Sequence, residues 1–342
     1  MPYRPWVVRP AGLGDAEALL TIARHLDTVN LPHDEGALRA LLRRATASFE
    51  EDRPPEESLF FFVLEGAAGA AGTSMIFAQH GTRGEPHVYF DVLEQERYSR
   101  TLDRHRSHRL LRLGFQYDGP TEIGGLVLRP SLRSAPERLG RLLSLSRFLF
   151  LGAHRHRARD TVLAELMPPL EPDGSSRLWS ALGERFTGLS YREADRLSAH
   201  NKEFILELFP REPIPVALLP PDVEALLGAV GPDTKPVERM LTGLGFRYAH
   251  RIDPFDGGPH FTAPTDAIGA VAGAEVRAVA PEGRRGEWEP LPLLVARVEG
   301  GPHRFRATVS PGRRDGGALV LPEAARRALG VEVGEPVRVL AR

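Results

Sequence analysis

The clearest indication of the fold comes from the segment Glu122-Ile123-Gly124-Gly125-Leu126-Val127-Leu128-Arg129-Pro130. Its apolar residues predict a buried strand that ends at the proline, before a basic loop and a helix. Two adjacent glycines in mid-strand weaken packing, and they are typical of a bulge or of a close backbone approach. N–H groups turned out of the ladder there could hold a thioester oxyanion. Alternatively, Gly124 and Gly125 make room for a neighbouring helix.

The junction between this loop and the following helix is a candidate phosphate site. A helix N-terminus offers backbone N–H groups and the positive end of its dipole to an anion. Arg133 and Arg138 could add charged contacts, and Gly140 lets the backbone approach a ligand closely. The alternative is an ordinary helix start with solvated arginines, which composition alone favours.

Outward from this segment, strands and helices alternate along the chain. Further strands are predicted at residues 7–10, 59–64, 73–78 and 161–166. Amphipathic helices are predicted after Asp15, at 36–49 and at 140–151. The similar turns at 178–183 and 240–246 suggest two related halves. We therefore predict a mixed α/β (α+β) sheet fold in three parts, with boundaries at 1–190, 191–280 and a small β-rich 281–342.

Composition excludes several classes of protein. The 342 residues are 42% apolar, and 44 Lys plus Arg nearly balance 45 Asp plus Glu, so we expect no nucleic-acid partner. There is no cysteine, which excludes disulfides and a thiolate nucleophile. The chain starts with no apolar segment of signal-peptide form and contains no apolar stretch long enough to span a bilayer. A cytoplasmic protein without a membrane partner is expected.

The histidines and the common catalytic motifs give no further candidate. His105, His108, His154 and His156 lie in basic runs that would repel a cation, so we predict solvated faces and no metal. The chain has no His-Glu-x-x-His, Walker-type loop or Gly-x-Ser-x-Gly elbow, and zinc hydrolysis, nucleotide hydrolysis and serine esterase chemistry therefore lack support.

The segment Ile252-Asp253-Pro254-Phe255-Asp256-Gly257-Gly258-Pro259-His260 is the loop with the most information. Its two carboxylates, glycine pair and proline predict a loop outside the core that could receive a cationic substrate. The alternative is a turn in which Asp256 accepts hydrogen bonds from the backbone, the usual role of Asp before Gly.

Several blocks resemble, in order, the arginine N-succinyltransferases, members of the GNAT superfamily of acyl-CoA N-acyltransferases. The strongest blocks are residues 144–150, 178–186, 193–195, 202–205, 245–248 and 252–259. The resemblance implies a GNAT-like fold, duplicated if the two halves are related. It also implies an acyltransferase of arginine catabolism that moves succinyl from succinyl-CoA to the α-amine of L-arginine, without a metal. A homo-oligomer is left open.

The resemblance also implies site residues. The family's succinyl-CoA contact falls on Leu126, between Gly125 and Val127, and its phosphate loop on residues 133–140. The acceptor amino acid is expected near Asn30 and at Asp256, Gly257 and Gly258. Glu165 matches a family glutamate and is the candidate base, although a salt bridge at a strand end explains it equally well.

Three departures from the family pattern concern the chemistry. Gly231 stands where the family has its proton-handling histidine, Thr262 lies near the place of an acidic residue, and Met167 replaces an arginine. Either another group accepts the proton or the acceptor is not arginine. The alternatives are a GNAT acyltransferase for a different amine and a sensor that binds CoA or an amino acid without turnover.

Overall fold

A computed structural model describes residues 5–24, 31–198, 201–282 and 287–341. The strands of this part of the chain are β1 (Val7–Pro10), β2 (Leu59–Gly66), β3 (Gly69–Phe77), β4 (His87–Ser99), β5 (Arg104–Gln116), β6 (Thr121–Leu128), β7 (Thr161–Glu165), β8 (Ile214–Pro215), β9 (Arg247–Ile252), β10 (Pro259–Pro264), β11 (Glu275–Ala280), β12 (Leu293–Arg297), β13 (Arg306–Ser310), β14 (Arg313–Asp315), β15 (Ala318–Val320) and β16 (Pro336–Leu340). The α-helices are α1 (Ala16–Arg24), α2 (Glu35–Glu50), α3 (Leu139–Ala153), α4 (Glu184–Thr187), α5 (Tyr191–Ser198), α6 (Glu203–Leu208), α7 (Pro221–Leu226), α8 (Lys235–Gly243), α9 (Gly269–Ala272) and α10 (Glu323–Leu329). The predicted mixed α/β class is confirmed.

The first compact unit consists of Met1–Gln79, Thr121–Asp160 and Pro264–Arg342. Its strands follow the order β14-β15-β11-β16-β12-β13-β1-β2-β3-β6. The pairing of β11 with β15 is parallel, and the other recorded pairings within this unit are antiparallel. Strand β1 pairs with β13 from the far end of the chain, with Val7 opposite Thr308.

Strand β2 is buried on both faces, as its continuous apolar run indicates. Side chains alternate across a strand, so Phe61 joins the core that α1 and α2 cover, while Phe60 and Phe62 point the other way. The ring of Phe150 on α3 meets them with centroids 4.7 and 5.2 Å away. Each such ring contributes roughly 1.5–3 kcal/mol through burial, so these contacts fix α3 against the sheet.

The second compact unit consists of His80–Pro120 and Thr161–Ala263. Its strands follow the order β7-β10-β9-β4-β5-β8, and β4 and β5 form a long antiparallel hairpin. Trp179 and Phe255 stack in its core with ring centroids 4.8 Å apart and planes 8° apart. The expectation that the loop around Phe255 lies outside the core is therefore wrong for this residue, because an aromatic ring between two turns can still reach inward.

The two units interleave along the chain, whereas the predicted parts 1–190, 191–280 and 281–342 are consecutive. The predicted parts, and the relation between two halves, stay predictions. None of the helices in the described ranges has both the length and the apolar character needed to cross a membrane.

The basic runs contain one buried histidine. His105, His108 and His156 are exposed, as predicted, but His154 is buried with its ring centroid 4.6 Å from that of Phe150. The prediction of a solvated His154 is wrong. The residue follows the last turn of α3, and its ring packs against Phe150, four residues earlier in the chain and part of the aromatic core.

This burial predicts a loss of stability in acid. Burial, with the charges of His156, Arg157 and Arg338, lowers the pKa of His154 to about 4, from 6.5 in the unfolded chain. Between these values the unfolded chain binds a proton that the folded chain does not, so stability falls as the pH drops from 6.5 to 4. In His154→Gln the free energy of unfolding should fall less steeply than in the parent protein as the pH drops. The two slopes should differ by up to about 1.4 kcal/mol per pH unit. Urea unfolding between pH 4.5 and 7.5 measures the slope.

His33→Gln is the matched control, because His33 is an exposed histidine of the same unit and is not one of the charges that act on His154. Its slope should equal that of the parent protein. Equal slopes for the parent and His154→Gln would contradict the account.

Candidate active site

The predicted bulge in β6 is present. Between β3 and β6 the register passes from Thr73 opposite Val127 to Met75 opposite Gly124, so Gly125 and Leu126 lie opposite a single residue. Gly125 has φ of 55°, a left-handed conformation that favours glycine. A Cβ atom there would lie 2.8 Å from Cγ of Met75. Both the backbone and the neighbouring side chain therefore require glycine at this position.

Two buried donors fix the carbonyl groups of the bulge. The hydroxyl of Thr73 donates to the carbonyl of Gly125 at 2.9 Å, and Nη1 of Arg147 donates to the carbonyl of Gly124 at 3.2 Å. Arg147 is buried on α3, and burial lowers its pKa to about 9. Because these carbonyls already have donors, the bulge is held in one conformation before any ligand arrives.

The loop after β6 leads to an open helix start. Arg138 has φ of 54° and caps α3, which begins at the next residue. Arg133 and Arg138 are exposed, and a Cβ atom added at Gly140 would meet no atom within 4 Å. The first N–H groups of a helix have no intrahelical acceptor, so this junction can receive an anion. The CoA-binding roles of Gly125, Leu126, Val127, Arg133, Arg138 and Gly140 stay predictions.

Gly140→Leu should weaken CoA binding several-fold without harming the fold. The open space at Gly140 accommodates the leucine side chain, but that side chain then occupies the surface that a pyrophosphate would approach. Calorimetric titration with CoA measures the affinity. Gly14→Leu is the matched control, because Gly14 lies in a short turn of the same unit with equally open surroundings. Unchanged affinity in folded Gly140→Leu would show that CoA does not bind at this junction.

In the second unit, four side chains that we call the His/Glu cluster meet: His80, His87, Glu165 and His260. Glu165 ends β7, His87 begins β4, and His260 is the second residue of β10. The N–H of Leu166 donates to the carbonyl of Pro259 at 3.1 Å and so joins the end of β7 to the start of β10. The Nε2 atoms of His87, His260 and His80 lie 3.1, 3.4 and 3.9 Å from Oε1 of Glu165.

Electrostatics make Glu165 the charged member of the His/Glu cluster. Burial would raise the pKa of Glu165, but His260, His87 and His80 outweigh it and hold the pKa well below its usual range. Burial lowers the pKa of His87 to about 4, although its hydrogen bond to Glu165 opposes the shift. At neutral pH an ionised carboxylate therefore faces a neutral imidazole. Three imidazole nitrogens and a carboxylate oxygen are also donors that metal ions accept.

The sequence pattern indicated Glu165 as a site residue but gave no sign of the three histidines around it. His87 is separated from Glu165 by 78 residues along the chain, and no local pattern marks the pair. The alternative role of Glu165 was a salt bridge at the strand end. In the structure its carboxylate contacts histidines there. The basic role of Glu165 stays a prediction.

The acidic loop forms the turn that the alternative predicted. Oδ1 of Asp253 accepts from the N–H of Phe255 at 2.7 Å, and Oδ1 of Asp256 accepts from the N–H of Gly258 at 2.8 Å. Gly257 has φ of 82°, which favours glycine. Burial raises the pKa of Asp253 to about 7 and that of Asp256 well above its usual range, and Glu165 adds to both shifts. The predicted contacts of Asp256, Gly257 and Gly258 with substrate stay predictions.

Gly231 lies in a closed position. Its N–H donates to the carbonyl of Met167 at 2.9 Å, and an added Cβ atom would lie 2.7 Å from the carbonyl oxygen of Pro168. The side chain of Met167 is exposed, and Thr262 lies on β10. The predicted substrate residue Asn30 lies outside the described residues.

Comparisons with known proteins give one consistent family. The profile of the arginine N-succinyltransferase beta subunit matches residues 6–270, and that of its C-terminal domain matches residues 285–341. An arginine N-succinyltransferase of Citrobacter koseri is 33% identical over 339 residues, covering 98% of this chain and 97% of the relative. The arginine N-succinyltransferase subunit beta of Pseudomonas aeruginosa is 32% identical with the same coverage.

A solved structure agrees with these sequence relatives. The arginine/ornithine succinyltransferase subunit AI from Pseudomonas aeruginosa matches with a TM-score of 0.85 and 30% identity, covering 99% of both chains.

Proposed function

Because the chain belongs to the arginine N-succinyltransferase beta subunit family, we propose that it is an acyltransferase that moves succinyl from succinyl-CoA to the α-amine of L-arginine. The observation that carries this proposal is the match of nearly the whole chain to relatives of that name, in both sequence and structure. The bulge of β6 and the open start of α3, both in the first unit, support this proposal.

The reaction we propose is direct attack of a neutral amine on the thioester carbonyl. The amine nitrogen forms a bond to the acyl carbon and loses a proton, the carbon–sulfur bond breaks, and the CoA thiolate takes up one proton and leaves as the thiol. Such a reaction needs no protein nucleophile, and this chain has no cysteine to offer one. It needs donors for the developing oxyanion, which we assign to backbone N–H groups at Gly125 and Leu126 of the bulge.

Proton removal from the amine is assigned to Glu165 with His87 behind it. An amino-acid α-amine is largely protonated near neutral pH, so some group must accept a proton before the amine attacks. Glu165 is ionised and its side chain is 29% exposed, so an amine can reach it. Its low pKa makes the carboxylate a weak base, and the imidazole 3.1 Å away can hydrogen-bond to it while it holds the proton.

The acidic surroundings favour a cationic acceptor. Burial is the main cause of the raised pKa of Asp253 and Asp256, and repulsion by Glu165 adds to both shifts. A guanidinium or ammonium group close to them would reduce that repulsion. A cationic amino acid is therefore the acceptor that we propose, with Asp256, Gly257 and Gly258 at its site.

The donor gives a direct test of the proposed function. Succinyl-CoA should give a higher kcat/KM than acetyl-CoA with L-arginine, because the proposed donor carries a terminal carboxylate. Release of CoA thiol under matched conditions measures both rates. Equal values for the two donors would argue against succinyl transfer, and absence of thiol release with either donor would argue against an acyltransferase.

A second candidate is transfer to another cationic amine. The solved relative is named for ornithine as well as arginine, and this chain has Met167, Gly231 and Thr262 where the family pattern has charged or proton-handling residues. A panel of L-arginine, L-ornithine, L-lysine and agmatine distinguishes these acceptors. CoA binding without thiol release from any of them would favour the sensor alternative.

A further inference from the structure

The His/Glu cluster has a second chemical capacity besides proton acceptance. We infer that His80, His87, His260 and Glu165 bind a divalent transition metal, with Zn²⁺ as the ion that suits these donors best. The sequence predicts no metal, because the histidines of its basic runs would repel a cation. That prediction rests on those histidines alone. This inference does not depend on the proposed acyl transfer, since it concerns binding alone.

The positions of the donor atoms support a metal. All three Nε2 atoms approach the same carboxylate oxygen, at 3.1 Å for His87, 3.4 Å for His260 and 3.9 Å for His80. The donor atoms of His80, His87 and Glu165 all lie within 4.8 Å of one another. Zinc bonds of about 2.0–2.1 Å in a tetrahedron place neighbouring donor atoms about 3.3 Å apart. Two of the three separations from Glu165 already have this value within about 0.2 Å, and the third, to His80, exceeds it by about 0.6 Å.

The kind of donor selects the kind of ion. Three imidazoles and one carboxylate form an N₃O set, which suits Zn²⁺, Co²⁺ or Ni²⁺. Magnesium and calcium prefer sites built from oxygen atoms. The set therefore discriminates against the two most abundant divalent cations of cells.

The His/Glu cluster has two buried members and two members that solvent can reach. The side chains of His87 and His260 are 3% and 1% exposed, and both stand on strands of one sheet. The side chains of His80 and Glu165 are 21% and 29% exposed, so an ion can enter from solvent.

The experiment uses the whole chain, treated with a chelator and then desalted. Calorimetric titration with ZnCl₂ should show one ion per chain, and Co²⁺ should give the visible absorption of a four-coordinate site. His80→Ala, His87→Ala and His260→Ala should each weaken zinc binding by at least about 10-fold, because each removes a direct ligand. His108→Ala is the matched control, because His108 is an exposed histidine of the same unit and its loss should leave the affinity unchanged.

Circular dichroism establishes that each variant is folded. If His260→Ala or His87→Ala fails this check because the histidine is buried, the partly exposed His80 still gives a valid variant. Failure of the parent protein to bind one zinc ion would overturn the inference, and so would equal affinity in the parent and in folded His80→Ala. Because no substrate is present, neither result bears on the proposed acyl transfer.

Discussion

Glu165→Gln should lower kcat for acyl transfer by about 10²–10⁴-fold and leave the affinity for succinyl-CoA unchanged. Glutamine keeps the size of the side chain but cannot accept the proton of the attacking amine. It also removes the negative charge that the three imidazoles surround. Initial rates of CoA thiol release give kcat, and calorimetric titration with succinyl-CoA in the absence of an amine gives the affinity.

The control for this variant is Glu207→Gln, which removes an exposed carboxylate of the same unit. Its kcat should equal that of the parent enzyme. Rates are measured with a chelator present and again with one equivalent of Zn²⁺, to separate proton acceptance from metal binding. A parent enzyme active in chelator and insensitive to Glu165→Gln would show that another group accepts the proton.

Gly231→His should not restore the histidine chemistry of the family, and it should destabilise the protein by about 3 kcal/mol. The resemblance places the proton-handling histidine of the family at this position, so the sequence pattern alone favours a gain of activity from histidine here. The added Cβ atom, however, would lie 2.7 Å from the carbonyl oxygen of Pro168 and 3.1 Å from that of Met167. Both are backbone atoms, so the loop itself would have to move. Urea unfolding measures the stability, and thiol release measures the activity.

Gly243→His is the matched control, because a Cβ atom added at Gly243, at the end of α8, meets no atom within 4 Å. It should change the stability much less than Gly231→His. A Gly231→His protein that is as stable as the parent and more active on L-arginine would show that the loop adapts and that the position kept its catalytic geometry.

Local features of the site were predictable from sequence, and the cluster was not. A glycine pair inside an apolar strand predicted the bulge at Gly125, because few other arrangements tolerate two adjacent glycines. Asp before Gly predicted the turn at Asp256. The meeting of His87, Glu165 and His260 depends on the pairing of β7, β10, β9 and β4, which no short-range pattern records.

The fold was predictable to a similar depth. The strand at β2 and the helix at α3 followed from apolar runs and periodicity. The long hairpin of β4 and β5 did not, because most of its side chains between residues 94 and 109 are exposed and give no apolar alternation. The two interleaved units could not be predicted either, because the order of segments along a chain does not show which of them pack into the same unit.

The pairing of β1 with β13 has a consequence for biosynthesis. The hydroxyl of Thr308 donates to the carbonyl of Trp6 at 2.6 Å, across 302 positions of the chain. During synthesis, β1 emerges first but can gain this neighbour only after residue 310 has left the ribosome. Until then one edge of β1 offers unpaired N–H and C=O groups to other chains, which is a route to aggregation. Ribosome-bound chains that end before β13 should therefore depend on chaperones more than chains that end after it.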